Sequence, residues 1–124
     1  MNFLNGKINS VSKLKVSVEL DALGKLSMKR NQFSKELSVG SVELGIRPEM
    51  LVIGKINRKE TNNTIQARID EISFFGDYIQ YKIKLLAGNA TLLVSEMHSR
   101  GGIEWKLNDH VSVSWTTDSF VPLK

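Results

Sequence analysis

Two imidazoles, His98 and His110, and scattered carboxylates are the side chains here that acid–base or metal chemistry would use. A tetrahedral metal site gathers several such ligands at defined spacing. His98 lies near Glu96 and His110 follows Asp109, with no further ligand in register, so each pair reads as a solvated turn and no metal site is expected. The chain has no cysteine, which excludes disulfides, thiolate metal sites and a Cys nucleophile. No G-x-S-x-G nucleophile elbow is present, and the serines fall on polar strand faces and in turns. No G-x-x-x-x-G-K-[ST] phosphate loop occurs. Gly101 and Gly102 after Arg100 offer successive N–H groups that could cradle a small anion, or form a plain loop tip. No catalytic residue emerges.

Binding of a single-stranded nucleic acid asks for exposed aromatics beside a basic groove. Lys and Arg number 17 against 13 Asp and Glu, a net charge of +4, and they are dispersed rather than clustered. Phe74, Phe75, Tyr78 and Tyr81 lie near Lys82 and Lys84. Tyr81, however, is in phase with Ile79 and Ile83 and so points inward, while Lys82 and Lys84 point outward with Gln80. Nucleic acid is therefore not expected as a partner, although a nucleic-acid module remains an alternative class.

The elements that would carry any site are strands. Apolar residues alternate at Leu14, Val16, Val18 and Leu20, and again at Val42, Leu44 and Ile46. The same period of two runs through Ile65–Ile69, Ile79–Leu85 and Val111–Trp115. Between Ile69 and Ile72 the apolar parity flips, which predicts a β-bulge or sharp bend near Asp70. "LNGKI" and "TLLVS" are weaker strands, the first interrupted by Gly6, which predicts a bulge or tight bend. "ALGK", "TNNT", "FFGDY" and "LAGNA" supply hairpin connections. No segment predicts a helix. Seven to nine short strands in 124 residues indicate an all-β fold, a small OB-like barrel. The N-terminus lacks the pattern of a signal peptide, and no apolar run approaches the ~18 residues of a bilayer span, so the chain reads as soluble.

One stretch resists this simple reading. "VELGIRPEMLVI" places Arg47, Pro48 and Glu49 between two apolar strands. Pro48 cannot donate to a ladder and predicts a corner. In an extended chain residues 47 and 49 share a side, so Arg47 and Glu49 can pair or face one surface together.

"G-I-R-P-E" resembles the signature of the C-terminal regulatory region, the transport-associated OB (TOBE) domain, of ABC-importer ATPases. "NFLNGKI", the hairpin "ARIDEISFFGDYIQYKIKL" with Gly76-Asp77 at its turn, "TLLVS" and the ending "NDHVSVSWTTDSFVPL" with Trp115 are similar to further family segments, in order. Asn108-Asp109 departs from the family, where a glycine is common. The resemblance implies a TOBE/MOP-like region over residues 1–124, with Gly45, Arg47, Pro48, Glu49, Gly76, Asp77 and Trp115 as motif or interface residues. It implies a regulatory and dimerisation role rather than catalysis, since this chain has no Walker A or B motif. ATP and Mg would bind a nucleotide-binding domain outside the chain, and no cofactor would bind here. Implied partners are that domain, a second ATPase subunit, membrane permease subunits, and a regulatory protein or small ligand. The implied place is the inner face of the cell membrane, and polyamine or iron uptake the implied direction. An oxyanion-sensing module, as in molybdate-related cousins, is the alternative.

Overall fold

The computed structural model describes residues 1–34, 36–56, 63–97 and 105–123. Ten strands and three short 3₁₀ turns make up its regular structure, with no α-helix among the described residues. The strands are β1 (Asn2–Val11), β2 (Lys15–Leu20), β3 (Gly24–Lys29), β4 (Gly40–Ile46), β5 (Val52–Gly54), β6 (Thr64–Phe74), β7 (Tyr78–Leu85), β8 (Thr91–Met97), β9 (His110–Ser114) and β10 (Val121–Leu123). They form two five-stranded antiparallel sheets, ordered β10-β4-β1-β2-β3 and β5-β9-β6-β7-β8. The all-β, OB-like expectation is met, with more strands than the alternation revealed.

The sheets belong to two compact units. Unit 1 comprises Met1–Ile46 and Thr116–Lys124; unit 2 comprises Arg47–Trp115. In unit 1 the alternating apolar residues of β1, β2 and β4 turn inward, with Leu4, Val16, Val18 and Leu44 at 4% exposure or less. In unit 2 Ala67, Ile69, Tyr81, Ile83 and Val113 do the same. Tyr81 thus points inward as its phase requires.

The two units repeat one plan. Within unit 1, Gly6 pairs with Leu20 and Ile8 with Val18, and the register then slips between Ile8 and Ser10. Within unit 2, Ala67 pairs with Leu85 and Ile69 with Ile83, and the register slips between Ile69 and Glu71. The bulge therefore falls at the same point of each sheet. The one near Asp70 is where the parity change predicts it. The remaining strands correspond as well: β3 to β8, β4 to β9, and β10 to β5. Each run of four strands passes through a 3₁₀ turn and delivers its fifth strand to the other sheet. Val52 of β5 pairs with Ser114 of β9, and Val121 of β10 pairs with Gly45 of β4.

Two local expectations shift. Gly6 is not a bend: β1 runs straight through it, and a Cβ there would collide with the Glu19 carbonyl and lie 2.9 Å from Leu20 Cα. The glycine permits close approach of β1 and β2. Leu14 is in phase with β2 yet 79% exposed. It lies in the preceding turn, closed by the Ser12 N–H donating to the Lys15 carbonyl at 2.8 Å, so the strand starts one residue later. Of the expected connection at 61–64, residues 61 and 62 lie outside the described residues, and β6 begins at Thr64.

Candidate functional site

The two 3₁₀ corners are the clearest places to separate what the fold needs from what it carries. At the first, Ile46 is buried, Arg47 is extended (φ −72°, ψ 143°), and Pro48–Met50 form the turn. The Met50 N–H donates to the Arg47 carbonyl at 2.9 Å and the Leu51 N–H to the Pro48 carbonyl at 3.3 Å. Proline suits the first position of such a turn because that N–H needs no partner. Leu51 then plugs unit 2 at 1% exposure. At the second corner Trp115 is buried, Thr117–Ser119 form the turn, and Phe120 plugs unit 1 at 2% exposure. The same bonds recur: Ser119 N–H to Thr116 carbonyl at 3.0 Å, and Phe120 N–H to Thr117 carbonyl at 3.4 Å.

This internal repeat is a control. Thr116 stands where Arg47 stands and Thr117 where Pro48 stands, yet the corner forms. Such a corner thus forms without an arginine, with Thr116 Oγ1 hydrogen-bonded to Ser119 Oγ at 2.8 Å in its place. Arg47 and Glu49 are both exposed, and no described ion pair joins them. The extended geometry that would set them side by side ends at Arg47, because the next three residues turn. Only the acid has a counterpart, Asp118 for Glu49. Gly45 is buried, and its missing side chain leaves room for Met1 and Leu123.

Beyond the first corner lies an open depression of about 620 Å³, lined by Pro48, Glu49, Leu51, Val52, Tyr78, Gln80, Ser95, Glu96 and Met97. Glu96 has the inward parity of β8, following buried Leu92 and Val94. Burial therefore pushes its carboxyl above the usual range, and a hydrogen bond from the Trp105 side chain partly opposes this. In unit 1 a depression of about 720 Å³ occupies the matching place, lined by Lys13, Leu14, Lys29, Arg30, Asn31 and Phe33. Lys15 pairs with Lys29 as Gln80 pairs with Ser95, so Arg30 stands where Glu96 stands. Arg30 Nη1 donates to the Ser34 carbonyl at 2.8 Å, and Lys29 Nζ lies 3.7 Å from Asp118. The two units thus carry opposite charge at the Arg30 and Glu96 position, while both keep an acid at the corner.

The other expected residues are dispersed. Gly76 takes φ +87° at the β6–β7 turn, where glycine avoids the Cβ penalty, and Asp77 is exposed beside it. Phe75 and Tyr78 stack across that turn with centroids 5.0 Å apart. Trp115 is 5% exposed, a packing residue of unit 2 as its phase implies. His110 is exposed at the start of β9. Among the described residues no cluster of His, Cys, Asp and Glu could hold a metal. His98, Arg100, Gly101, Gly102 and Ile103 lie outside the described residues. No described helix is long and apolar enough to cross a membrane. Periodicity overlooked the paired depressions. The sequence signal for the repeat is slight: aligned across the two corners, "GIRPEMLVI" and "SWTTDSFVP" share only an acid in the turn and the valine that opens the fifth strand, and strand pairing is what reveals it.

Comparison with known proteins agrees with this architecture. The cytoplasmic molybdate-binding protein ModG, in its PEG-grown, molybdate-bound crystal form, matches with a TM-score of 0.76 at 12% identity, over 98% of this chain and 94% of that one. At that identity the likeness is one of fold. A search of curated proteins returned no match. The family model of the TOBE domain matches residues 44–123, from the end of β4 through both corners to β10. This chain belongs to the TOBE domain family.

Proposed function

We propose that this chain is a non-catalytic regulatory module of an ABC importer, acting with the ATP-binding subunit at the inner face of the cell membrane. The observation that carries the reading is Arg47: exposed, within the Gly-Ile-Arg-Pro-Glu signature, and matched by a threonine at the equivalent corner. An exposed cation at a corner that forms elsewhere without one is available to another protein, and the nucleotide-binding domain of the importer is the partner the signature implies. Pairing of two ATP-binding subunits, through contacts the module adds, follows from the same reading. The imported solute would be a polyamine or iron.

The test is binding of this chain to a separately produced ABC-importer nucleotide-binding domain, followed by surface plasmon resonance. Arg47→Glu is expected to weaken that binding by roughly tenfold or more, as for truncated or reversed interface charges. Equal binding by both chains overturns the reading.

A second reading, oxyanion binding, draws support from the ModG fold together with the Lys13, Lys29 and Arg30 depression. Calorimetry with molybdate and with sulfate decides it. Saturable heat lost in Lys29→Gln supports it, and silence with both anions removes it.

A further inference from the structure

Unit 2 leaves a strip of large apolar side chains in water beside the β6–β7 turn. Phe75 and Tyr78 stack across that turn with their ring planes 11° apart. Tyr78 pairs with Met97 of β8, so these two side chains share one face of the sheet. Phe75 is 50% exposed and Met97 76%. The strip runs into the depression that Tyr78 and Met97 line together with exposed Val52. The corresponding turn of unit 1, residues 12–14, carries no aromatic, so the stacked pair is not part of the plan the units share. Contiguous apolar surface of this kind marks a contact site.

The depression is also charged. Among the described residues that line it, Glu49 and Glu96 are carboxylates and none is a cation. Asp77 adds a further acid at the turn. Gln80 and Ser95 pair between the acids and the apolar strip and offer hydrogen bonds. The Pro48–Met50 turn and β5 pack against β8, so the depression presents side chains rather than an unpaired strand.

We propose that this face of unit 2 binds a basic, apolar peptide segment of a partner protein. An apolar side chain of the segment would sit on Tyr78 and Met97, and a flanking lysine or arginine would reach Glu49 and Glu96. The openness of the depression favours a length of chain over a small molecule, since small-molecule sites enclose most of their ligand. Charge decides the rest. Carboxylates repel a phosphate-bearing or acidic partner and attract a cation. Burial penalises the charge of Glu96, and an arriving cation relieves that penalty. The matching depression of unit 1 carries Lys13, Lys29 and Arg30 and would repel the same segment. Arg47 does not line the depression of unit 2, and its charge calls for an acidic partner, so the two contacts are separate.

The test is an NMR titration of the nitrogen-15-labelled chain with the peptide acetyl-Gly-Lys-Leu-Phe-Lys-Gly-amide. Saturable shifts are expected in residues 48–52, 75–80 and 95–97, and none at Lys13, Lys29 or Arg30. A peptide with Glu-Leu-Phe-Glu at its centre, and one with Lys-Ser-Ser-Lys, are each expected to bind at least about tenfold more weakly. Glu49→Lys and Met97→Ser change exposed side chains, and each is expected to weaken binding while signals elsewhere keep their positions, which shows the fold retained. The absence of saturable shifts, or shifts centred outside these residues, overturns the proposal. So does equal binding by the glutamate peptide, by the serine peptide, or by both variants. No nucleotide-binding domain enters this titration, so its failure leaves binding at Arg47 untouched, and the reverse holds as well.

Discussion

Glu96 shows how a single side chain can work against the fold that holds it. Its parity in β8 is that of the core residues Leu92 and Val94, and burial raises its pKa above the ordinary 4.5. A carboxyl whose folded pKa exceeds its unfolded value contributes stability that is complete at low pH and is lost as pH rises through the folded value. Glu96→Gln keeps an acceptor for Trp105 and removes the charge. Thermal melts are therefore expected to show the variant above wild type at neutral pH, the gap closing as pH falls below the ordinary carboxylate range. Arg47 and Glu49 illustrate the limit of reading single residues from sequence. Their types and motif were legible, but parity stops at Pro48, so their exposure was not. Asn108 was legible as a departure from glycine, and it takes φ 70°, a conformation asparagine tolerates better than most residues.

At the scale of elements, strands that alternate over a long run were legible and short ones were not. β3 shows only Leu26 and Met28 inward, and β10 is three residues around Pro122, so neither stood out. The bulge of β6 announced itself because apolar residues flank it on both sides. Its counterpart in β1 falls at Asn9 and Ser10, where polar residues give parity nothing to mark. The corners are the elements most open to test. Leu51 and Phe120 follow equivalent turns and each fills its own unit. Leu51→Ala is expected to cost about 2–5 kcal/mol and Phe120→Ala about 3–5 kcal/mol in urea denaturation. Hydrogen exchange should place the first loss in residues of unit 2 and the second in residues of unit 1. The reverse assignment would contradict the delivery of each fifth strand to the other sheet.

Over the whole molecule, the two units repeat one plan, and the repeat offers an internal comparison. Each unit serves as a reference for the other, and where exposed positions disagree, as at Arg47 and Thr116, the shared plan does not fix the residue. Arg47 against Thr116 and Glu96 against Arg30 are two such disagreements, and both lie at charged surface features. The sequence showed the fold class through period two and the family through its motifs. The charge divergence stayed hidden because Lys13, Lys29 and Arg30 are brought together by strand pairing across turns, and periodicity along one strand cannot see it. The central claim is that Arg47 faces a partner rather than supporting the corner. Binding of wild-type and Arg47→Glu chains to an ABC-importer nucleotide-binding domain, with their urea denaturation midpoints in parallel, tests it most directly. Weakened binding is expected, with midpoints that agree to within about 0.5 kcal/mol of stability, as for surface substitutions. Unchanged binding, or a variant that loses its fold, would contradict it.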